Sequence, residues 1–331
     1  MVAIRTAAQA PNTRRCHSNI STSQAIVLIV NPAAGRGGVR AKIPGLLEIF
    51  RARGVANVYR TSVAGDEERL TLRAIREGAT TVVAIGGDGT CSRIADAIVR
   101  AKSPCRLAVV PSGTGNDFAK TLGVDNLRAE EIADLVVRGV AAHIDVAHAD
   151  GHYFLNSCGF GFDASVLEAS NEIRFLKGDA VYIYAALRQL FTYRGIDVGV
   201  SGMPGPGRGP LLMVTVSNGR WLGGAFEIAP RASVIDGKLD VCVFSNSNFV
   251  ERVKLFARAL RGTHLDLPSV KSATVQQLTL SFGSKPTMEM DGELRVATGT
   301  TVELHCVPRA LAVIAAPGAL ERTRSATPAE S

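Results

Sequence analysis

The chain has few aromatic residues, 5% of 331 positions, and a single tryptophan, Trp221. Nucleic-acid platforms interleave basic residues with stacking aromatics. Neither that pattern nor a nucleic-acid recognition motif is present, so nucleic acid is not the expected partner. Cysteine is equally sparse. The six, Cys16, Cys91, Cys105, Cys158, Cys242 and Cys306, lie far apart and form no CxxC pair, which argues against zinc. Several sit in apolar runs, where a free thiol behaves as a small hydrophobe, and a reducing, cytoplasmic compartment suits them. No apolar run approaches the ~18 residues of a membrane span. Residues 1–23 hold no acid and no apolar signal-peptide core. They read as a flexible tail, with an organelle transit peptide as the sharper alternative. Asn19-Ile20-Ser21 forms a glycosylation sequon, with no other sign of secretion beside it.

What is present is apolar mass and positive charge. Hydrophobic residues make up 46% of the chain and the net charge is +7. This length accommodates two domains with sizeable cores, and the charge suits anionic partners, either nucleotide phosphates or an anionic lipid surface.

Chemistry concentrates at Ala84-Ile85-Gly86-Gly87-Asp88-Gly89-Thr90. The apolar run Thr81 to Ile85 leads in and a helix-compatible run to Arg100 leads out. Strand, glycine turn and helix N-terminus together bind phosphate through converging N–H groups and the helix dipole. Asp88 adds a carboxylate for Mg²⁺ or a hydroxyl, and Thr90 a cap or a phosphate contact. Alone, the stretch is equally well read as a tight turn of any α/β protein.

Similar turns recur. The buried-strand run Ala25 to Val30 precedes Asn31-Pro32-Ala33-Ala34-Gly35-Arg36-Gly37-Gly38, and a helical pattern covers Val39 to Arg53. Val55 to Thr61 reads as a strand, followed by a helix capped by Asp66 and closed by Gly78. Leu107 to Val110 is a fourth strand, ended by Pro111. Ser112-Gly113-Thr114-Gly115-Asn116-Asp117 follows, where capping by Asn116 or Asp117 accounts for one polar residue but not four. A helix then spans Leu127 to Arg138. This repetition predicts a doubly wound parallel layer with its ligand beyond the strands' carboxyl ends.

From His143 the pattern becomes antiparallel. Asp150-Gly151 marks a hairpin, and His148 and His152 read as strand-end residues rather than metal ligands. Gly178 to Arg194 reads as a helix with Val181, Tyr184, Ala185, Leu187, Leu190 and Phe191 on one face, flanked by Arg174, Lys177, Arg188 and Arg194. It either packs on a sheet or rests on lipid headgroups. Gly199 to Pro210 reads as an exposed loop and Phe249 to Arg261 as a basic amphipathic helix. Strands are expected at Leu211 to Val216, Val241 to Phe244, Val270 to Phe282, Thr287 to Met290 and Thr301 to Val307. Ala310 to Ala316 is expected to return to the first domain. The predicted organisation is a tail at 1–23, an α/β nucleotide-binding domain at 24–141 with a return of 308–320, a larger antiparallel β-sandwich-like domain at 142–307, and a tail at 321–331. The active site is expected between the domains.

Taken together, Asn31-Pro32 with Gly35, Gly86 to Thr90, Ser112 to Asp117, Asn218-Gly219-Arg220 with Gly223-Gly224, Ile228-Ala229-Pro230, Asp236-Gly237-Lys238-Leu239-Asp240 and Asp291-Gly292-Glu293 resemble the diacylglycerol-kinase-type lipid kinases. That superfamily includes sphingosine and ceramide kinases. The resemblance implies an ATP site formed by Asn31, Pro32, Ala33, Ala34, Gly35, Thr61, Gly86, Gly87, Asp88, Gly89, Thr90, Cys91, Ser92 and Thr114. Ser112, Gly113, Asn116 and Asp117 stand beside it. It implies Glu293 as general base and a magnesium position at Ser233, Asp236 and Lys238, the first and third through backbone oxygen. It places Asp163 at the lipid headgroup. Gly223-Gly224-Ala225 departs from the usual three glycines.

The expected reaction moves the ATP γ-phosphate to a lipid hydroxyl with Mg²⁺, at a membrane surface approached transiently. A homodimer is compatible with the sequence. If the backbone is extended at Asp291, that residue and Glu293 project to one face, so Asp291 would support the base or bind metal. An ordinary Asp-Gly turn is the competing reading. The rival functions are a dinucleotide kinase, which shares the Gly-Gly-Asp-Gly-Thr loop, and a non-catalytic lipid- or nucleotide-binding module.

Overall fold

The computed structural model describes residues 26–173, 179–204 and 207–322. The N-terminal stretch with Cys16 and the sequon, Arg174, Lys177, Gly178, and residues 323–331 lie outside them.

Five consecutive apolar residues with no polar alternation need cover on both faces. In β1 (Ile26–Val30) all five are buried. The chain continues through α1 (Ile43–Arg51), β2 (Asn57–Arg60), α2 (Asp66–Arg76), β3 (Thr81–Gly86), α3 (Asp88–Arg100), β4 (Arg106–Pro111), α4 (Asp117–Thr121) and α5 (Ala129–Arg138). The parallel order is β2-β1-β3-β4. Right-handed crossovers therefore put α1 on one face and α2 and α3 on the other. The contacts agree, because α1 packs on α5 and α2 on α3. The winding reverses between β1 and β3, which opens a crevice beyond their carboxyl ends.

Two boundaries differ from the sequence reading. Helix α1 begins at Ile43 rather than Val39, because residues 34–37 form a 3₁₀ turn and Pro44 suits the first helical turn. Asp66 is not the cap of α2. Gly65, at φ +90°, takes that position, and Asp66 accepts from the N–H groups of Ser62 and Val63 at 2.8 and 3.2 Å.

The second half comprises β5 (Ala141–Ala149), β6 (His152–Phe154), β7 (Ser157–Gly161), α6 (Phe162–Glu172), α7 (Asp179–Thr192), β8 (Ile196–Ser201), β9 (Arg208–Ser217), β10 (Trp221–Leu222), β11 (Phe226–Glu227), β12 (Leu239–Ser245), α8 (Phe249–Ala259), β13 (Val270–Val275), β14 (Gln277–Phe282), β15 (Thr287–Met290), β16 (Glu293–Val296), β17 (Thr301–Ile314) and α9 (Ala319–Arg322). It is an antiparallel sandwich, with α6, α7 and α8 covering a further apolar layer. Helix α9 occupies the start of the expected C-terminal tail.

The expected loop at Gly199–Pro210 is strand at its two ends, 199–201 and 208–210, with β8 pairing β9 through Asp197 and Pro210. Gly199 fits there because a Cβ would lie 2.5 Å from Ser281 Oγ on the neighbouring strand. Pro210 pairs only with β8, so its missing N–H removes no ladder bond on a second side.

The return to the first layer is one continuous strand. Its first half pairs β14 antiparallel, and its second half joins β4 in parallel through Val313 and Leu107. Both halves pair β5 around a bulge between Val307 and Leu311, where Arg309 has φ +53°. Buried Asp145 of β5 holds this junction. Its two oxygens accept from the N–H of Arg309 at 2.8 Å and of Gly237 at 2.6 Å. An amide here would lose a charged acceptor and turn an NH₂ toward one of those donors. Asp145→Asn is expected to destabilise the fold by about 2 kcal/mol, read as a thermal midpoint several degrees lower; an unchanged midpoint contradicts this role.

Candidate active site

The crevice is built first from close approaches of backbone. Gly87 and Gly113 come from different loops, and a Cβ on Gly113 would lie 2.4 Å from the Gly87 Cα. Asn116, at φ +52°, folds its side chain back on its own loop, accepting from Gly113 N at 2.8 Å. It holds the N-cap position of α4, as expected, but its side chain staples the loop and makes no cap bond. Asn31 ties the first loop to the second by donating to Thr90 Oγ1 at 3.1 Å and to Glu67 Oε1 at 3.1 Å. Asn31, Ala34, Gly35, Gly87, Gly89, Thr90, Gly113 and Thr114 border one open hollow of about 260 Å³ at the N-terminus of α3. Pro32, Ala33 and Thr61 border an adjoining open cleft. Free N–H groups at the start of α3 suit phosphate here.

Asp88 opens α3. Its Oδ1 accepts from Phe118 N at 3.0 Å, and its Oδ2 faces Gly115, where a Cβ would lie 3.2 Å away. Loss of water and the nearby Asp117 push the Asp88 pKa up, partly offset by the Phe118 N–H. Asp117 accepts from Gly224 N, and Lys120 reaches both Asp117 and the Gly224 carbonyl. Lys120 also lies 5.0 Å from the Trp221 ring centroid. Together these contacts draw the Trp221–Gly224 turn over the cleft.

The opposite wall is a two-residue hairpin. Asp291 and Gly292, at φ +47° and +85°, connect β15 to β16, with Met290 paired to Glu293. The backbone is not extended at Asp291, so the two acids do not share a strand face. Asp291 is buried, accepting from the N–H groups of Leu155, Asn156 and Ser157 and from the Ser92 side chain. It positions the wall. Glu293 reaches the phosphate hollow, accepting from Arg93 Nε at 2.7 Å. A Cβ on Gly89 would lie 3.0 Å from Glu293 Oε1.

Not every expected residue meets the cleft. Cys91 faces the hydrophobic core, Ser92 turns to Asp291, and the Ser112 hydroxyl bonds the Val110 carbonyl. Thr90 lies inside the first turn of α3, where Gly87 is the cap. Ser233, Asp236 and Lys238 border neither the phosphate hollow nor the Asp88 cleft. Their loop packs near Asp145 and the β17 bulge, with Val234 in the α/β core.

Beyond Asp88, a cleft lined by Asp117, Asn156, Glu289 and Asp291 reaches Leu222. Leu222 also borders a narrow apolar cavity of about 50 Å³. Its lining is almost wholly apolar, Phe162, Val166, Leu190 and Phe256 among it, with Asp163 and Arg252 the charged exceptions. Asp163 is buried, and loss of water pushes its carboxyl up to about 7.

The diacylglycerol kinase catalytic domain matches residues 25–149, and the YegS C-terminal NAD kinase beta sandwich-like domain matches residues 156–315. "Probable lipid kinase YegS-like" of Pectobacterium atrosepticum is 31% identical over 73% of this chain and 82% of its own length. The chain belongs to the diacylglycerol-kinase-type lipid kinase family. The Bacillus subtilis diacylglycerol kinase is 27% identical over 80% of this chain and 88% of its own. In fold, a diacylglycerol kinase from Bacillus anthracis aligns with a TM-score of 0.68 at 21% identity, over 89% of this chain and 98% of that one. An NAD kinase from Archaeoglobus fulgidus, solved with ATP, aligns at 0.51 and 12%, over 91% and 100%.

Within this lipid-kinase fold, sequence reasoning missed Glu67, Arg93, Lys120 and Glu289. Arg93 stands one helical turn beyond Gly89, and Lys120 one turn beyond Asp117, spacings that a charged helix face also produces. Glu67 and Glu289 carry no local signal. The Gly87–Gly113 contact is the most direct demand on the expected nucleotide wall. Gly113→Ala is expected to weaken ATP binding at least tenfold in equilibrium titration while leaving the secondary structure intact; wild-type affinity would contradict the close approach.

Proposed function

We propose that this chain is a lipid kinase that moves the γ-phosphate of ATP to a lipid hydroxyl. One observation carries the reading: Glu293 meets the glycine turn at Gly89 from some two hundred residues away, beside a cleft that shares Leu222 with an apolar cavity. Phosphoryl transfer asks a protein chiefly to position groups and neutralise charge. In this reading the N–H groups of 87–90 and the loops at Asn31–Gly35 and Gly113–Thr114 hold the triphosphate. Glu293, oriented by Arg93, accepts the hydroxyl proton. Asp291 keeps the hairpin that carries Glu293 in register. The apolar cavity, narrow as it stands, would widen to take the start of an acyl chain, a use that a dinucleotide acceptor does not have.

Magnesium normally binds one or two carboxylates together with substrate phosphates. Among the described residues no three His, Cys, Asp or Glu side chains form a ready cage. Asp88, with one oxygen directed into the cleft, fits that partial role, and the ion would neutralise phosphate charge there. The 233–238 loop offers a second oxygen-only set, with the buried Ser233 hydroxyl unpartnered among the described residues and the Asp236 carboxyl pushed up by burial. It would stiffen the domain junction rather than touch the reacting phosphate.

No helix among the described residues is long and apolar enough to cross a membrane. We infer peripheral docking through α7 and α8. The predicted α7 face divides: Val181, Ala185 and Leu190 are buried, while Tyr184, Leu187 and Phe191 are exposed. Phe191 stacks on exposed Phe249 at 4.4 Å, with Val250 and Val253 beside it. Lys254 and Arg194 add positive charge next to this patch. These helices also line the apolar cavity. The double variant Phe191→Glu/Phe249→Glu is expected to bind phosphatidylglycerol-containing vesicles at least tenfold more weakly, and added salt should weaken the wild type. Unchanged binding would contradict this surface.

For the chemistry, Glu293→Gln and Asp88→Asn are each expected to lower kcat by about 10²-fold or more. Radiolabelled-ATP transfer to extracted lipids, with product mass spectrometry, reads the loss; circular dichroism and thermal midpoints should remain close to wild type. Near-normal turnover in either variant would overturn the assigned roles. Phosphorylation of NAD but of no lipid would favour the dinucleotide-kinase alternative.

A further inference from the structure

Among the described residues that border the hollow at the start of α3, Arg93 is the one base, and Glu67 and Glu293 are the acids. Arg93 stands one helical turn beyond Gly89, on the same side of α3. Its side chain is 33% exposed, so part of it meets the hollow and part is held by protein. The guanidinium spans two points of the rim. At one end Nε donates to Glu293 Oε1 at 2.7 Å. At the other, a Cβ built on Gly65 would lie 3.4 Å from Nη1, so the missing side chain before α2 leaves that end room.

The bond to Glu293 uses one of the five N–H groups of the guanidinium. Among the described residues nothing is bonded to Nη1 or Nη2. The nearby acids are met elsewhere. The second oxygen of Glu293 accepts from Arg295 Nη2 at 3.4 Å, Glu68 pairs with Arg100, and Glu67 accepts from Asn31. Two Nη groups therefore remain directed at a hollow that otherwise carries carboxylates. A triphosphate entering it is repelled by those acids unless a cation stands among them. Glu293 decides which phosphate that cation meets. A base that takes the acceptor proton lies within about 3 Å of the hydroxyl, and that hydroxyl lies in line with the terminal phosphorus. A guanidinium bonded to the base is then beside the terminal phosphate rather than the inner two.

We infer that Arg93 holds the terminal phosphate of ATP with its Nη groups while its Nε keeps Glu293, so that one planar guanidinium sets phosphate and base at a fixed spacing. This rests on the kinase reading and adds to it a catalytic residue beyond the glycine turn. In the transfer, the bond from the γ-phosphorus to ADP breaks as the bond to the acceptor oxygen forms. The acceptor proton passes to Glu293, and Arg93 stays protonated throughout. Charge spreads over the equatorial phosphate oxygens in the transition state, where a fixed cation stabilises most. A lysine at this position, being a point charge, reaches the phosphate or Glu293 but does not bridge them.

The test is an equilibrium titration with magnesium and either ADP or a non-hydrolysable ATP analogue, with no lipid present. Arg93→Ala should weaken binding of the analogue by about tenfold or more and of ADP by less than about threefold. Glu293→Gln removes the ion pair and keeps the guanidinium, so it should hold the wild-type ratio of the two affinities within about threefold. Arg93→Lys should bind the analogue more tightly than Arg93→Ala, yet transfer phosphate to extracted lipids with kcat about tenfold or more below wild type. An equal loss of both nucleotides in Arg93→Ala, or no loss of either, overturns the inference and leaves the kinase reading standing. Loss of the ratio in Glu293→Gln also overturns it, because the discrimination would then belong to the base. Arg93→Lys guards against an alanine variant that fails to fold, and wild-type kcat in it would contradict the bridge. A wild type that binds neither nucleotide would remove the kinase reading and this inference together.

Discussion

The buried carboxylate of Asp291 is the interaction on which the cleft depends. It receives three consecutive backbone N–H groups from the turn between β6 and β7. It is also bonded by Ser92 of α3. One side chain thus joins the β15–β16 hairpin, the start of the sandwich, and the helix that begins at the glycine turn. Charge-assisted bonds of this kind are strong and directional, and they permit a left-handed backbone at a non-glycine residue. Glu293 owes its place over Gly89 to that hairpin. The Asp145 junction does comparable work further back, where β17 passes from the sandwich into the parallel layer.

Much of the α/β layer was legible because its signals are local. Continuous apolar runs ended by glycine clusters at Asn31–Gly35, Gly86–Gly89 and Ser112–Gly115 identify buried strands and the turns beyond them. The winding rule then places those turns at one crevice. The antiparallel class was legible from short strands and Asp-Gly turns. The continuity of β17 was hidden, because Pro308 and the left-handed Arg309 interrupt the apolar pattern just where the strand changes partners. The 199–210 segment looked like a loop because glycine and proline are poor strand residues in general. At Gly199 and Pro210 it is the neighbouring strands that decide.

The site was legible in outline and less so in roles. The Asp-Gly-Glu triplet drew attention to the hairpin opposite the glycine turn, yet whether it was extended or turned decided which acid borders the hollow there. Cys91 and Ser92 belong to the motif by sequence and to the core and the hairpin by structure. Glu67, Arg93 and Glu289 could not be singled out, since a lone charged residue in a helix or strand usually faces water, and only tertiary contacts reveal otherwise. The apolar cavity, assembled from α6, α7, α8 and the sheet, has no sequence signature at all.

These features are what the proposed lipid kinase would use: helix-start amides on one wall, a carboxylate on the other, and an apolar cavity that shares Leu222 with the cleft. Its most direct test is a crystal structure with magnesium and a non-hydrolysable ATP analogue. The account predicts the terminal phosphate over the N–H groups of 87–90, with the Glu293 carboxylate within one water's reach of the side open to the acceptor. A triphosphate bound away from the glycine turn, or Glu293 turned out of the cleft, would contradict it.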